Sequence, residues 1–145
     1  MRTLIVLPLL LALCACASRP YQSPGVPTVH GAPIDAAAYN REIERQGFRH
    51  YCGNGGCDAL PRLIVGYAPR YPPAAMQAGR QGQATIVFTI KADGSTGDYR
   101  VESASADEFA EAAIQTLKHW RFAPATLRGK PVPMQSRQPF PFVFD

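Results

Sequence analysis

The chain has little of what most catalytic and nucleic-acid-binding sites are built from. Its 145 residues include 3 His and 4 Cys, and no Ser/His/Asp, paired-carboxylate or metal-ligand arrangement stands out. The 15 Lys and Arg are spread along the chain without a basic run, and neither an RNP-like aromatic motif nor zinc-finger spacing occurs. We therefore expect no enzyme activity, cofactor, metal, small-molecule substrate or nucleic-acid partner.

The chain also has few long apolar runs, and the clearest one lies near its N-terminus. Arg2 precedes an apolar stretch over residues 4–13, which is followed by small residues, and this layout is typical of a secretory signal. About 10 to 14 apolar residues are too few for a permanent membrane span, which needs about 20. We predict that residues 1–15 form a cleaved signal peptide.

The cleavage region contains Leu-Cys-Ala-Cys, which also resembles the bacterial lipoprotein box. Acylation of Cys16 would discard Cys14 and leave Cys52 and Cys57 as an even pair, whereas acylation of Cys14 would leave Cys16 as an odd thiol. We favour lipidation of Cys16 over simple release of a soluble protein. Ala17 follows, and by resemblance to lipoprotein sorting signals this residue indicates a periplasmic protein anchored to the outer membrane.

Between the signal and the C-terminal domain lie two further segments. Residues 16–33 contain four prolines and no apolar periodicity, so they predict a semi-extended tether. Residues 34–65 begin with a helix that Asp35 can cap and Gly47 can end. Its thin apolar stripe is consistent with a helix that leans on a larger body, but we favour the alternative of a solvated linker helix.

A Gly-rich loop in residues 34–65 is flanked by two cysteines. In an oxidising compartment Cys52 and Cys57 are most simply a disulfide that closes this small loop. A metal site that recruits His50 is disfavoured because an obvious fourth ligand is missing.

Residues 66–145 show denser periodicity. Prolines open a short helix, an alternating strand covers residues 83–91, and Asp93-Gly94 predicts a hairpin to a returning strand. Ser105 and Glu108 match a capping box that begins a second helix. The side chains predicted to form the core are Phe88, Phe109, Leu117, Trp120, Phe122, Phe140 and Phe142.

The C-terminal stretch RQPFPFVFD alternates phenylalanines with prolines. Phe140, Phe142 and Phe144 share one face, as in a buried strand, yet Pro139 and Pro141 cannot donate ladder hydrogen bonds. Residues of one parity point their backbone groups to one lateral side, so the prolines would face outward while the phenylalanines pair inward. We predict an edge strand whose aromatic side chains pack under the helix.

Three motifs occur in fixed order in residues 66–145: a Tyr-Pro pair, an Asp-Gly hairpin, and Trp-Arg-Phe followed by Pro-Ala. Their positions, with the residues between them that complete the pattern, are Tyr71, Pro72, Ala75, Gly79, Gly82, Phe88, Thr89, Ile90, Asp93, Gly94, Val101, Ser103, Phe109, Ala112, Ala113, Trp120, Arg121, Phe122, Pro124, Ala125, Gly129, Pro131 and Val132. This segment resembles the C-terminal domain of the TonB energy transducers. The resemblance implies an α+β fold, an antiparallel three-stranded sheet with two helices packed on one side.

The resemblance also implies a function. In that family the last strand offers its free edge to the TonB box of outer-membrane receptors, and the receptor segment adds a strand to the sheet. Energy transducers keep an uncleaved transmembrane helix and a long proline-rich spacer, whereas here a cleavable signal and a short tether are predicted. The resemblance therefore does not extend to coupling with the inner-membrane motor.

Two functional hypotheses follow. The first is a binding module that pairs its last strand with an outer-membrane receptor or another envelope protein. The partner-binding residues are then Gln135, Arg137 and Val143, which keep outward N–H groups, together with Pro139 and Pro141. Because these prolines remove donors, we expect strand addition to be weaker or to centre on Gln135 and Arg137. The alternative is a structural envelope lipoprotein in which the prolines prevent edge-to-edge aggregation.

The lipid anchor can be tested by the intact mass of the mature protein extracted from membranes. We expect a chain that starts at Cys16 and carries a lipid adduct. A mature chain without an adduct would contradict lipidation, and an acylated chain that starts at Cys14 would contradict the choice of cysteine.

Overall fold

The computed structural model describes residues 31–45 and 56–144. In chain order these residues form α1 (Ala36–Arg45), β1 (Arg62–Val65), α2 (Pro73–Gln77), β2 (Gly82–Ile90), β3 (Thr96–Ala104), α3 (Asp107–Leu117), β4 (Arg121–Ala123), β5 (Ala125–Leu127), β6 (Lys130–Val132) and β7 (Met134–Phe142). The signal peptide, Cys14, Cys16, Gly47, His50 and Cys52 lie outside the described residues. The predictions made for them stay predictions.

The main sheet has three antiparallel strands in the order β3-β2-β7. The Asp-Gly hairpin joins β2 to β3, and α3 packs on these two strands. Two short ribbons, β1 with β4 and β5 with β6, were not predicted from the sequence. The predicted α+β class with an antiparallel three-stranded sheet and helices is confirmed.

The core lies between the sheet and α3. All seven side chains expected there are buried, and Phe88, Phe109, Leu117 and Trp120 are at most 1% exposed. The ring of Phe142 lies 4.8 Å from that of Phe109, between centroids. Such contacts make the C-terminal strand part of the core, since each buried aromatic contributes roughly 1.5–3 kcal/mol.

Phe144 does not join this core, contrary to the prediction from its spacing. The strand β7 ends at Phe142, and Phe144 remains 42% exposed. Its ring stacks on Tyr71 instead, with centroids 4.9 Å apart and planes 18° apart. The alternation of aromatic residues therefore continued beyond the end of the regular strand.

The predicted capping box at Ser105 is also wrong. Helix α3 follows Ala106 as its N-cap, and no side chain caps it. Ser105 Oγ instead accepts the backbone N–H of Gln83 at 3.0 Å, and the Ser105 N–H donates to the Gln83 carbonyl at 2.9 Å. Ser105 thus continues the pairing of β2 with β3 rather than starting the helix.

Helix α1 packs on the domain, so its interpretation as a solvated linker helix is wrong. Asp35 caps it as predicted, because its Oδ1 accepts the N–H of Ala37 at 2.9 Å. Asn40 makes two bonds to the backbone of Leu63, one from its Nδ2 to the carbonyl and one from the Leu63 N–H to its Oδ1. The thin apolar stripe of α1 did not reveal that a polar side chain, Asn40, holds the helix against β1.

Cys57 packs beside the small cluster of Ala125 and Met134. Its predicted partner Cys52 lies outside the described residues, so that disulfide stays a prediction. Within the described part of the chain, no helix is long and apolar enough to cross a membrane, and no group of three or more His, Cys, Asp or Glu could hold a metal ion.

The turn between β2 and β3 depends on Gly94. Its φ is +82°, a backbone conformation that residues with a side chain rarely adopt. Its carbonyl accepts the N–H of Phe122 at 2.9 Å. A Cβ at this position would lie 2.0 Å from the Phe122 carbonyl oxygen. Gly79 also has positive φ, at +62°, but a Cβ there would meet nothing within 4 Å.

This contrast predicts different costs for the same substitution. Gly79→Ala should lower the free energy of unfolding by about 1–2 kcal/mol, the cost of a left-handed backbone. Gly94→Ala should cost about 1–3 kcal/mol more, because the hairpin and β4 must also move apart. Urea denaturation of both variants of the mature chain measures the difference. Equal midpoints would contradict the close approach of the hairpin to Phe122.

Candidate partner-binding edge

The strand β7 lies at one edge of the main sheet. It pairs with β2 over nine residue pairs without a register shift, from Gly82 opposite Phe142 to Ile90 opposite Met134. Along β7 the even-numbered side chains are buried or half-buried, whereas the odd-numbered ones are exposed. The predicted edge strand is present, with its even-numbered face on the core.

The contacts of Gln83 show which side of β7 is free. Both backbone groups of Gln83 bond to Ser105, so the odd-numbered residues of β2 point toward β3. The even-numbered residues of β2 consequently point toward β7, where they lie opposite even-numbered partners. Pro139 and Pro141 lie opposite Thr85 and Gln83. Their backbone nitrogens and carbonyls therefore point laterally outward, away from β2.

No described residue forms a backbone hydrogen bond with the outer side of β7, and one stretch of this edge has complete backbone hydrogen-bonding capacity. Gln135 and Arg137 are exposed, lie between Pro133 and Pro139, and point both N–H and C=O outward. Val143 is 59% exposed but follows the last residue of β7. The structure thus places Gln135 and Arg137 together on the edge and leaves Val143 beyond its end.

The opposite edge of the sheet, formed by β3, is less regular. Its pairing with β2 shifts twice, once between Thr85 and Ile86 and once between Val87 and Thr89. Asp98 within β3 has a φ of +50°. Such irregularities twist an edge strand away from a straight ladder. Of the two edges, β7 offers the straighter template for an added strand.

The side chain of Arg137 is held away from the free edge. Its Nε donates to Oε2 of Glu102 on β3, which lies beyond β2. The pair spans the sheet above Val87, which is only 5% exposed. An exposed ion pair of this kind contributes about 0–1 kcal/mol to stability. Its larger effect is to leave the backbone of Arg137 uncovered.

A contact that sequence reasoning missed lies at the next residue of β7. Tyr39 Oη of α1 donates to Gln138 Oε1 at 2.8 Å, and Gln138 Nε2 donates to the Pro139 carbonyl at 2.9 Å. The tyrosine ring also lies edge-on to Trp120, with centroids 5.6 Å apart. Tyr39 and Gln138 are 99 positions apart, and no local pattern pairs them.

Comparison with known proteins agrees with this architecture. The family model of the Gram-negative bacterial TonB protein C-terminal matches residues 67–144. The chain belongs to the TonB C-terminal family. Helix α1 and strand β1 precede the matched residues.

Two named TonB relatives match the chain over about half of its length. It is 31% identical over 78 residues to Protein TonB of Xanthomonas campestris pv. campestris strain B100, which is 53% of this chain and 35% of that protein. It is 36% identical over 70 residues to Protein tonB2 of Pseudomonas aeruginosa, 45% of this chain and 26% of that one. The chain thus spans about a third or less of these TonB relatives.

A solved structure supports the TonB fold directly. The solution NMR structure of the Pseudomonas aeruginosa TonB CTD superposes with a TM-score of 0.54 and 29% identity. The superposition covers 61% of this chain and 90% of that domain. The three-stranded sheet, with the helices that the superposition covers, therefore has the TonB C-terminal fold.

Burial of Tyr39 against the TonB domain raises its pKa to about 12 from the usual value of 10.0. The unfolded chain ionises this tyrosine near pH 10, so its stabilising contribution is complete below pH 10 and is lost as the pH rises toward 12. We expect Tyr39→Phe to remove up to about 2 kcal/mol of the fall in unfolding free energy between pH 10 and 12.

Urea denaturation of the wild type and Tyr39→Phe at several alkaline pH values measures this slope. The tyrosinate absorbance titration should at the same time lose its component near pH 12 in the variant. Parallel stability curves for the two proteins from pH 8 to 12 would show that α1 does not bury Tyr39.

Proposed function

We propose that this chain is a protein-binding module of the bacterial envelope and acts without catalysis. Its partner is an extended segment of an outer-membrane receptor, which adds a strand at Gln135 and Arg137. The observation that carries the proposal is the free, regular edge of β7, whose backbone groups at these two residues point outward. Membership of the TonB family supports the choice of an envelope partner.

The short ladder limits the affinity. Gln135 and Arg137 together offer two donors and two acceptors, and each backbone hydrogen bond contributes about 0.5–1.5 kcal/mol net. Four bonds thus supply about 2–6 kcal/mol, against which association itself costs about 4 kcal/mol or more. Contacts of the partner's side chains must add to the total. We expect a dissociation constant in the micromolar to millimolar range.

The proposed lipid anchor at Cys16 would bring this edge close to its partner. The tether predicted for residues 16–33 is docked at its C-terminal end, because the N–H of Gly31 donates to the Ala68 carbonyl at 3.0 Å and Pro33 bridges to Tyr67. Residues 16–30, if semi-extended as their prolines predict, would reach about 45 Å at about 3.1 Å per residue. A domain held this way stays near the periplasmic face of the outer membrane. Energy coupling to an inner-membrane motor is not part of the proposal.

A second candidate function is a structural envelope lipoprotein that holds other proteins in place without strand addition. Pro139 and Pro141 favour it, since prolines on an edge discourage pairing with another strand. A scaffold would instead use a side-chain surface, such as Ile64 and Val65 on β1, which are 59% and 38% exposed. The two candidates differ in whether binding needs the backbone of β7.

An NMR titration separates them. The probes are TonB-box peptides from receptors of the same organism, added to the labelled mature chain carrying Cys16→Ser to prevent lipidation. We expect the largest amide shifts at Gln135, Arg137 and their neighbours. Arg137→Pro should weaken binding about tenfold or more, because it removes an outward donor without breaking the ladder to β2.

The matched control is Arg137→Ala, which loses the ion pair to Glu102 but keeps the backbone N–H. It should bind within about threefold of the parent chain. Equal affinity of the proline variant and the parent would contradict pairing at β7. No shift at millimolar peptide in any variant would leave the scaffold as the better proposal.

A further inference from the structure

The outward carbonyl of Pro139 is the next acceptor along the edge, and it is already bonded. Gln138 Nε2 donates to it at 2.9 Å from the side chain of the preceding residue. Pro139 has no N–H to offer either. Pro139 therefore offers an added strand no donor, and an added strand would have to share its carbonyl with Gln138.

The side chain of Gln138 is itself held in place from α1. Tyr39 Oη donates to Gln138 Oε1 at 2.8 Å, so the amide is oriented with its nitrogen toward Pro139. Tyr39 is fixed in turn by its edge-on contact with Trp120. The neighbouring Asn40 bonds both backbone groups of Leu63, which anchors the helix on β1. The orientation of Gln138 thus depends on the docking of α1.

We propose that Tyr39, acting through Gln138, ends the binding edge before Pro139. This inference rests on the proposed strand addition and specifies its length. The partner pairs over Gln135–Arg137 and leaves the sheet at Pro139, where the donor is missing and the acceptor already carries a hydrogen bond. Helix α1, which lies before the residues matched by the family model, therefore determines which partner segments fit.

The shared acceptor also affects which residue the partner can place there. In an antiparallel pair, the partner residue opposite Pro139 would direct its N–H at a carbonyl that already bonds to Gln138 and its C=O at the proline nitrogen. The C=O would remain unpaired, and the N–H would have to share its acceptor. A proline at that place in the partner loses at most this one shared hydrogen bond, so the edge suits short extended segments that are followed by proline or by a turn.

Gln138→Glu tests this role with little change in shape. A glutamate keeps the acceptor for Tyr39 but has no N–H for Pro139, so it should open the edge. Gln138→Ala is a second, uncharged variant, and Gln77→Glu on α2 is the matched control for the added charge. All variants are made in the mature Cys16→Ser chain. The Pro139 carbonyl is observed in an HNCO spectrum through the amide of Phe140.

In the free protein the Pro139 carbonyl signal should move in both Gln138 variants and stay in place in Gln77→Glu. On addition of the TonB-box peptide it should respond only in the Gln138 variants. Their affinity should rise about two- to tenfold, as expected for one added hydrogen bond.

Two outcomes would overturn the inference alone. Either the peptide shifts the Pro139 carbonyl already in the unmodified edge, or the Gln138 variants bind with the same footprint and affinity as the parent. Absence of binding in every protein, including those with the carbonyl freed, would contradict the proposed strand addition and this inference together.

Discussion

The place of β7 in the sheet depends on the backbone amide hydrogens that Pro139 and Pro141 lack. A strand with two such residues of the same parity can pair on one side alone, so it must lie at an edge. The register with β2 agrees, because it places the prolines opposite Thr85 and Gln83, residues of β2 whose own backbone groups point toward β3. The same constraint puts Phe140 and Phe142 on the core face. The strand is therefore both a part of the core and the surface that a partner can reach.

Trp120 links the separate elements of the chain around this strand. It is fully buried, its indole N–H donates to the Tyr67 carbonyl at 2.9 Å, and its ring meets those of Tyr39 and Phe140 edge-on. The contacts join α1, the segment after β1 and β7. Since a protein interior is closely packed, a shift of α1 cannot leave Trp120 and the strand beside it unchanged. Through Trp120, helix α1, which lies outside the residues matched by the family model, is therefore in contact with the edge strand β7.

Sequence reasoning succeeded where a local pattern carries the structure. The alternation of β2, the Asp93-Gly94 turn and the even parity of Phe140 and Phe142 each follow from neighbouring residues. It failed where distant residues decide. Ser105 fits a capping box, yet Gln83 is a competing partner that lies 22 positions away. The Tyr39 contact to Gln138 and the docking of Asn40 on Leu63 likewise have no local signal. The proposed influence of α1 on the free edge of β7 could therefore not be predicted from the sequence.

The proposed anchor explains how so short an edge could still be occupied. A partner held in the same membrane would meet Gln135 and Arg137 at an effective concentration in the millimolar range, as for two modules joined by a short flexible linker. A dissociation constant near 1 mM corresponds to only about 4 kcal/mol, which a few hydrogen bonds and side-chain contacts can supply. A longer open edge would add affinity but would also accept unintended strands. The prolines and the bonded carbonyl of Pro139 therefore favour brief pairing that depends on the common membrane.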